Sequence, residues 1–499
     1  MFQDRLLDLS RQADYFWALL PEIVLALCAM GVLLWDVLLK GNRSEASRPV
    51  IAWAAVGSLV LAGVANLTLI PLMEVSPTGM VAVDTFRVFA NFLFLLSGAL
   101  AILLSFGYLD RKGMNRGEFH VLILFAVLGM MLMAGARDLI LTFIGLEVMS
   151  VAVYVLVGFD RHDPRSAEGA LKYFLLGAFS SAFFLYGIAL LFGATGSTHL
   201  AVIASAVVGA SEDARPMVLA GAALLMVGLG FKVAAIPFHV WTPDAYDGAP
   251  TPVTALMATG VKAAAFATFI RVFPVGLVGI QAEWAVVVWW LAALTMLGGN
   301  LVALTQGSLK RMLAYSSIAH AGYLLVALVS GTASGAAAFL FYLLVYTLMT
   351  AGAFGILVAG AGEGTDRVRL DEYAGFGWER PFLGAAFTVF LLSLAGFPLT
   401  AGFLGKLYIL RTAVESGQQT LAVILVLASL ISYFYYLRVI VVMYMQPASA
   451  PGVHQGAYLP RPAVLAVGVA AAAVLLLFFV PFPLEWARES AAGLYGMAG

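Results

Sequence analysis

Long apolar runs constrain this chain more than any other feature. Of its 499 residues, 62% are hydrophobic and 11% are charged. The apolar residues form continuous stretches of about 20, the length of a helix that crosses the hydrocarbon core of a bilayer. Strands of a membrane β-barrel would instead alternate apolar and polar residues. The sequence therefore predicts an all-α polytopic membrane protein with about 14 transmembrane helices. We place these spans, numbered in chain order, at 17–36, 52–72, 85–106, 119–135, 138–158, 169–193, 216–241, 251–273, 284–304, 312–330, 335–359, 381–412, 420–445 and 463–483.

Two of these spans, seven and twelve, carry similar interruptions. The first reads GLGFKVAAIPFHVW and the second SLAGFPLTAGFLGK, and proline breaks or kinks a helix. The two segments lie an odd number of spans apart, so the units that contain them would be inserted in opposite orientations. Such pairs are typical of transporters built from inverted repeats with a site near the bilayer midplane. We therefore predict two inverted five-helix repeats with broken helices 7 and 12. The expected divisions are N-terminal helices 1–3 in 1–115, a first repeat (helices 4–8) in 116–280, a second repeat (helices 9–13) in 281–446 and helix 14 in 447–499.

Basic residues are concentrated in alternate loops, which predicts the orientation of the chain. Cytoplasmic loops of membrane proteins carry an excess of lysine and arginine. The basic set comprises Lys40, Arg43, Arg48, Arg111, Lys112, Arg116, Arg161, Arg165, Lys310, Arg311, Arg367, Arg369 and Arg380, and the opposite loops hold mainly single arginines. This predicts that the basic loops are cytoplasmic and that both termini lie on the other side. The loop after span seven is an exception, because it holds Asp244 and Asp247 and no base.

Four ionisable residues lie within or beside apolar runs, where charge is costly. They are Glu147, Lys232, Lys262 and Lys406. A charged side chain at the bilayer centre costs about 2.5 to 3.5 kcal/mol or more, so such residues are candidates for function. Glu147 alone would be protonated and nearly inert, whereas a neighbouring ammonium could keep it ionised and couple the two titrations.

The lysines differ in how readily they could reach water. Lys232 lies roughly 13 Å from either end of span seven, which disfavours snorkelling to the membrane surface. Lys262 has the same depth in span eight. Lys406 could alternatively be interfacial if span twelve is short, and Lys172 lies within one turn of the probable start of span six. For Lys172 the residues alone do not decide between snorkelling and function.

Histidines and cysteine add little chemistry beyond proton transfer. His239 and His320 could relay protons, because histidine titrates near neutral pH, although the residues alone slightly favour a structural, hydrogen-bonded histidine in each case. The single cysteine, Cys28, excludes an internal disulfide framework and an all-cysteine metal site. We expect no cofactor or metal on this chain. The formal net charge of -1 also argues against a nucleic-acid partner.

Three segments carry a specific family resemblance. GLGFKVAAIPFHVWTPDAYDGAPTPVTALMATGVKAAAF, LKRMLAYSSIAHAGYLLVAL and LSLAGFPLTAGFLGKLYIL resemble the proton-conducting, antiporter-like membrane subunits of respiratory complex I. The similarity extends over about residues 80–445. It implies a coupled pair of Glu147 and Lys232, a family lysine at Lys172, a central lysine at Lys262 and a terminal lysine at Lys406. His239 and His320 lie in matching motifs.

The resemblance also implies partners and a location. The chain would translocate protons in a bacterial inner membrane, with both termini in the periplasm. NADH, FMN, iron–sulfur clusters and quinone are expected on partner subunits. Expected neighbours are the other membrane-arm subunits, including subunits M, K, J and L, together with the lipid bilayer. Two alternatives remain: a subunit of a multisubunit cation/proton antiporter, and a scaffold that does not pump.

Overall fold

The computed structural model describes residues 5–7, 12–39, 48–70, 72–74, 79–209, 211–360, 366–448 and 459–495. Lys40 and Arg43, two of the bases used to orient the chain, lie outside these residues. The described chain is a helical bundle with one small parallel sheet, in which β1 (Arg5–Leu7) pairs with β2 (Leu72–Glu74). The helices that precede residue 116 are α1 (Gln12–Ala18), α2 (Leu20–Leu39), α3 (Arg48–Leu67), α4 (Thr85–Ser105) and α5 (Tyr108–Arg111).

The next part of the chain contains the first broken span. Its helices are α6 (Gly117–Gly135), α7 (Leu139–Val157), α8 (Pro164–Thr195), α9 (Leu200–Val208), α10 (Arg215–Val233), α11 (Thr242–Gly248), α12 (Thr251–Leu256) and α13 (Lys262–Ile270). A π-helical segment, Met257–Val261, joins α12 to α13, and a second one, Arg271–Gly276, follows α13. Residues 251–276 thus form one continuous span with two widened turns.

The remaining helices complete the bundle. After a 3₁₀ turn at Val278–Ile280 come α14 (Gln281–Ala303), α15 (Leu309–Val329) and α16 (Ala333–Gly360), and a second 3₁₀ turn lies at Leu370–Tyr373. The last helices are α17 (Phe376–Glu379), α18 (Pro381–Ala395), α19 (Ala401–Glu415), α20 (Gln419–Met445), α21 (Arg461–Leu476) and α22 (Phe482–Tyr495).

The prediction of a helical, multi-span membrane protein is confirmed, but the count of fourteen spans is not. Within the described residues, 12 helices are long and apolar enough to cross a membrane. Two further apolar helices, Pro381–Ala395 and Arg461–Leu476, are shorter. The difference arises because predicted span twelve is divided into α18 and α19, and because the apolar part of the last span ends at Leu476.

Both predicted helix breaks are present. Helix α10 ends at Val233 rather than near residue 241, because Ala234 adopts a left-handed conformation (φ 60°) and Pro237 cannot donate to a helical hydrogen bond. The Ile236–Pro237 peptide bond is cis. Span twelve breaks between α18 and α19, where Gly396 (φ 88°) and Leu399 (φ 70°) are both left-handed.

The most buried spans are those that carry the central candidate residues. The span Thr251–Gly276 is 100% buried, and α15 and α16 are each 94% buried, over their most apolar windows. The spans Leu20–Leu38 and Pro164–Thr195, by contrast, are only 33% and 39% buried. The fold therefore places Lys262 and His320 on helices that are enclosed by other helices on all sides.

Candidate functional site

Lys232 lies at the break of span seven, next to the last residue of α10. Its ammonium donates hydrogen bonds to Ser150 Oγ (2.7 Å) and Tyr154 Oη (3.2 Å) on α7. Ser150 and Tyr154 follow Glu147 by three and seven residues, so all three share one face of that helix. Trp241 stabilises the helix break at Ala234, because its Nε1 donates a hydrogen bond to the carbonyl of Phe231 (3.1 Å).

Glu147 lies on α7 and accepts a hydrogen bond from Ser181 Oγ on α8 (2.5 Å). Helix α6 packs closely against α7 two residues before Glu147, where Gly145 has no side chain. A Cβ at Gly145 would lie 2.9 Å from the backbone nitrogen of Met133. Among the described residues Glu147 forms no ion pair. The charges of Glu147 and Lys232 still lie within electrostatic range of each other. The two residues are therefore neighbours without a direct salt bridge, and the hydroxyl groups that hold Lys232 belong to the same helix as Glu147.

Lys262 begins α13, directly after the first π-helical segment. Its ammonium donates to the backbone carbonyl of Ser317 on α15 (2.8 Å) and also to the Ser317 hydroxyl. The ring centroid of Tyr246 lies 5.9 Å from the ammonium nitrogen. Widened π-helical turns occur frequently at functional sites, because they change the direction in which a side chain points.

His320 lies one turn after Ser317 on α15 and is held by two tyrosines. Its Nδ1 is hydrogen-bonded to Tyr342 Oη (2.6 Å), and its Nε2 is hydrogen-bonded to Tyr436 Oη (3.2 Å). Tyr342 belongs to α16 and Tyr436 to α20, so the imidazole joins three helices. This arrangement satisfies both ring nitrogens, as the structural alternative requires.

Lys406 lies on α19, just beyond the break of span twelve. Its ammonium donates to the carbonyl of Ala395 at the end of α18 (2.9 Å). The same nitrogen lies 4.8 Å from the ring centroid of Tyr323, whose ring is 5.3 Å from that of His320. Tyr323 thus separates His320 from Lys406.

Burial distinguishes the deep lysines from one that reaches the surface. Lys232, Lys262 and Lys406 are 1%, 2% and 6% exposed, so none of them extends to solvent or to the surface of this chain. The Lys172 side chain is 43% exposed and forms ion pairs with Glu168 (2.6 Å) and Asp244 (2.7 Å). Lys172 therefore does not contact the lysines above.

An aromatic series lies between Lys232 and Lys262. The Lys232 ammonium is 5.7 Å from the centroid of Tyr173, which stacks on Trp241 at 4.3 Å. Trp241 contacts Tyr246 at 6.1 Å, and Tyr246 in turn faces Lys262. His239 lies nearby, in the connection between α10 and α11, within electrostatic range of Lys262. Its Nδ1 is buried and has no hydrogen-bond partner in the part of the chain that the structure describes.

The acidic loop after span seven, an exception in the sequence, is balanced by bases in three dimensions. Asp244 pairs with Lys172 and with Arg311 Nη1 (3.0 Å). Asp247 accepts from Lys310 through its backbone carbonyl (3.1 Å). Asp244 and Asp247 thus lie among basic residues that the sequence predicts on the same side of the membrane.

A second charge cluster joins the basic loops to the segment before α17. Asp366 pairs with Lys112 (3.0 Å), lies 4.0 Å from Lys310 and accepts from Tyr108 Oη (3.0 Å). Burial alone would raise the pKa of the Asp366 carboxyl, but Lys310 and Lys112 lower it, and the net pKa lies below the ordinary value of 3.8. Asp366 therefore holds these loops together as a carboxylate.

Sequence reasoning found the charged residues and missed their neutral partners. Ser150, Ser317, Tyr323, Tyr342 and Tyr436 carry no charge, and serine and tyrosine are common in any helix. The spacing offered a weak signal, since Ser317 and His320 are three residues apart, as are Glu147 and Ser150. Among the described residues no group of three or more His, Cys, Asp or Glu side chains could hold a metal ion.

Comparison with known proteins confirms the family resemblance. Residues 136–432 match the family model described as "NADH:quinone oxidoreductase/Mrp antiporter, TM", and this range contains all seven candidate residues. NADH-quinone oxidoreductase subunit N of Trichlorobacter lovleyi is 46% identical over 473 residues, which cover 95% of this chain and 96% of that protein. A chain of respiratory complex I from Thermus thermophilus with bound aureothin matches with a TM-score of 0.77 and 36% identity, covering 93% of this chain and 97% of that one. A chain of the Mrp complex from Dietzia sp. has a TM-score of 0.80 at 22% identity, covering 95% and 97%, and shares the fold alone.

Proposed function

This chain belongs to the NADH-quinone oxidoreductase subunit N family, and we propose that it moves protons along a row formed by Glu147, Lys232, Lys262 and Lys406. The row would cross the bundle near the midplane of the membrane, within the membrane arm of respiratory complex I. His320 would link Lys262 to Lys406, and His239 would assist Lys262. Lys172, which pairs with Asp244, would connect the loops of the cytoplasmic side to the first half of the row.

The observation that carries this proposal is the kind of partner that each buried lysine has. Each of the three deep ammonium groups donates only to hydroxyl or carbonyl oxygens, from Ser150, Tyr154, Ser317 and Ala395. A lysine held in an ion pair stays charged, whereas a buried lysine with neutral partners changes its protonation state readily. Such a group can accept a proton and then release it.

The interaction energy between neighbouring charges is comparable to the energy needed to move a proton against the membrane potential. Moving one proton against 100 mV requires about 2.3 kcal/mol. Two unit charges about 8 Å apart interact by about 2 kcal/mol at an effective dielectric constant of about 20. A change in the charge of Glu147, which lies within electrostatic range of Lys232, is therefore large enough to change the proton occupancy of that lysine.

The driving reaction belongs to partner subunits in this proposal. NADH oxidation and quinone reduction, with FMN and iron–sulfur clusters, would take place there and alter the charge at one end of the row. The partners would include membrane-arm subunits M, K, J and L. The names of the relatives support this assembly, as do the exposed apolar faces of α2, α3 and α8. We further propose a bacterial inner-membrane location with both termini in the periplasm, and the division of the chain into two inverted repeats.

The proposal is tested with Lys232→Ala and Glu147→Ala in the assembled complex, in inverted membrane vesicles. Each change is expected to abolish or sharply reduce NADH-driven proton uptake, because it removes a proton-carrying group. Arg369→Gln, which changes an exposed residue, is the matched control and leaves uptake unchanged. Wild-type proton uptake by an assembled complex with either alanine would contradict the mechanism.

The second candidate is a subunit of a cation/proton antiporter, which the description of the family model also includes. It predicts sodium-dependent proton exchange in vesicles that receive no NADH. The higher identity to subunit N proteins favours complex I. Sodium-dependent exchange without NADH, combined with absence of the chain from purified complex I, would establish the antiporter instead.

A further inference from the structure

A cationic pocket of about 440 Å³ lies at the ends of α6, α7 and α8, away from the proton row. It is formed where residues 112–116 meet residues 159–165. Its basic lining residues are Lys112, Arg116, Arg161 and Arg165, and its acidic ones are Asp160 and Asp163. None of these residues has a part in the proposed proton path.

Two of the four bases are already neutralised. Lys112 pairs with Asp366 (3.0 Å), and Arg165 pairs with Asp163 (3.0 Å). Within the described part of the chain, Arg116 and Arg161 have no recorded side-chain hydrogen bond or ion pair, and both are exposed. Two free guanidinium groups thus face one acid, Asp160. This leaves an excess of positive charge in a concave site, and the planar fork of arginine suits phosphate oxygens.

Two helices begin at the rim of the same pocket. Helix α6 starts directly after Arg116, and no side chain caps its first N–H groups. Helix α8 starts directly after Asp163, whose carboxylate caps it by accepting a hydrogen bond from the Arg165 N–H (2.9 Å). The N-terminal end of a helix carries partial positive charge and free N–H groups, both of which favour an anion. A carboxyl group already lies at each of these two helix ends, Asp36 beside the first residue of α6 and Asp163 at α8. The case for an anionic ligand therefore rests on the side chains of Arg116 and Arg161.

The surface beside the pocket is apolar. Val155 on α7 and Leu171 and Phe174 on α8 are 49%, 58% and 49% exposed, respectively. They lie on the membrane-spanning parts of these helices, whose ends form the pocket. A polar, basic site at the end of an exposed apolar face fits a phospholipid, with its phosphate group on the bases and its acyl chains along the helices. A free phosphate ion would contact only the basic site and not the apolar helix face.

We propose that this pocket binds the phosphate group of an anionic phospholipid in the cytoplasmic leaflet. Arg116 and Arg161 would contact the phosphate oxygens, and the apolar side chains of α7 and α8 would contact an acyl chain. The assignment to the cytoplasmic leaflet rests on the proposed orientation, but binding itself does not depend on proton transport. The failure of one proposal is therefore distinguishable from the failure of the other.

The test measures lipid binding to the purified complex. The complex is depleted of lipid in a neutral detergent and titrated with spin-labelled phosphatidylglycerol, with spin-labelled phosphatidylcholine as the zwitterionic comparison of zero net charge. Arg116→Gln/Arg161→Gln is compared with the wild type and with Arg369→Gln, which removes a base from an exposed ion pair outside the pocket. We expect the affinity of one phosphatidylglycerol site to fall about 30-fold in the double variant, from the loss of two phosphate contacts. We expect no change in Arg369→Gln.

Three results would overturn the proposal. One is an unchanged number and affinity of phosphatidylglycerol sites in the double variant, which would also be found if a partner subunit covers the pocket. Another is an equal loss of phosphatidylcholine, which would show that charge does not select the lipid. The third is full displacement of the lipid by millimolar inorganic phosphate, which would identify a free anion as the ligand.

Discussion

At the scale of single residues, neutral partners determine where each buried charge lies. Ser150 and Tyr154 hold the Lys232 ammonium against α7, and Ser181 holds the Glu147 carboxylate from α8. Hydroxyl groups both donate and accept hydrogen bonds, so they can stabilise either protonation state of their partner. In the proposed path, the neutral side chains next to the charges therefore influence proton exchange together with the charges themselves.

Ser181→Ala should reduce proton pumping without disturbing assembly. The change removes the hydrogen bond from Ser181 that holds the Glu147 carboxylate, an interaction worth about 1 kcal/mol. Ser180→Ala is the matched control, because the adjacent Ser180 donates only to the backbone carbonyl of Gly228 (3.3 Å). NADH-driven acidification of membrane vesicles measures both. Equal effects of the two substitutions would argue against a role for the Ser181–Glu147 bond.

Gly177→Ala should displace the hydroxyl of Tyr154 from Lys232. A Cβ at Gly177 would lie 2.0 Å from Tyr154 Oη, so the tyrosine ring must move. Gly193→Ala, on the same helix, meets only the flexible Met217 side chain at 3.2 Å and serves as the control. We expect several-fold lower pumping in the first variant and near wild-type pumping in the second, at equal amounts of assembled complex. Full activity of Gly177→Ala would show that the Tyr154–Lys232 contact is dispensable.

The sequence reveals the charged candidates because lysine and glutamate stand out in apolar runs. It does not reveal which residues each lysine contacts. Lys172 has the same residue type as Lys232, yet it pairs with Asp244 on a helix 72 positions further along the chain. Only the fold brings such residues together, and serine or tyrosine partners give no compositional signal.

At the scale of helices, proline and glycine determine where spans seven and twelve break. The sequence predicts both breaks from Pro237 and Pro398, but it places the end of α10 too late. The helix ends at Val233 because Ala234 turns into the left-handed region, and backbone N–H groups of residues 234 and 235 bond back to Phe231 and Gly230. Tertiary contacts such as that of Trp241 Nε1 with Phe231 stabilise this earlier end, and periodicity alone does not contain them.

Asp366→Asn should destabilise the junction between the basic loops. Removing the carboxylate takes away the ion pair with Lys112 and the hydrogen bond from Tyr108, both of which involve largely buried groups, at a cost of about 3 kcal/mol. Asp371→Asn, at an exposed ion pair with Arg369, should have little effect, because solvent screens such a pair. The thermal unfolding temperature of the purified complex measures both, and equal midpoints for the two variants would contradict the structural role of Asp366.

Comparison of Asp366→Asn with the wild type also gives an expected pH dependence of stability. Since the pKa of Asp366 is lowered on folding, its contribution is fully present above the ordinary value of 3.8 and is lost only as the pH falls through the lower folded value. The stability difference between Asp366→Asn and the wild type should therefore stay constant from about pH 6 to about pH 8. A difference that disappears within this interval would show that Asp366 is not held as a carboxylate.

At the scale of the whole molecule, the fold arranges the candidate residues across several enclosed helices. Glu147 lies on α7, Lys232 at the end of α10, Lys262 on α13 and Lys406 on α19, so four separate elements contribute. The span Thr251–Gly276, which carries Lys262, is the most buried of the candidate membrane spans. Fold class and family could be predicted from apolar runs and three motifs, whereas the number of full spans could not, because broken helices change their length.

The most direct test of the proposed proton row is the number of protons moved per NADH oxidised when Lys262 is changed. Purified complex with Lys262→Gln is reconstituted into liposomes, and proton uptake and NADH oxidation are recorded together. Lys262 lies between the two halves of the row and is held only by Ser317 and the ring of Tyr246, so its loss should interrupt the row while the complex stays assembled. The account predicts a lower proton-to-NADH ratio than in the wild type, and an unchanged ratio in the fully assembled variant would contradict it.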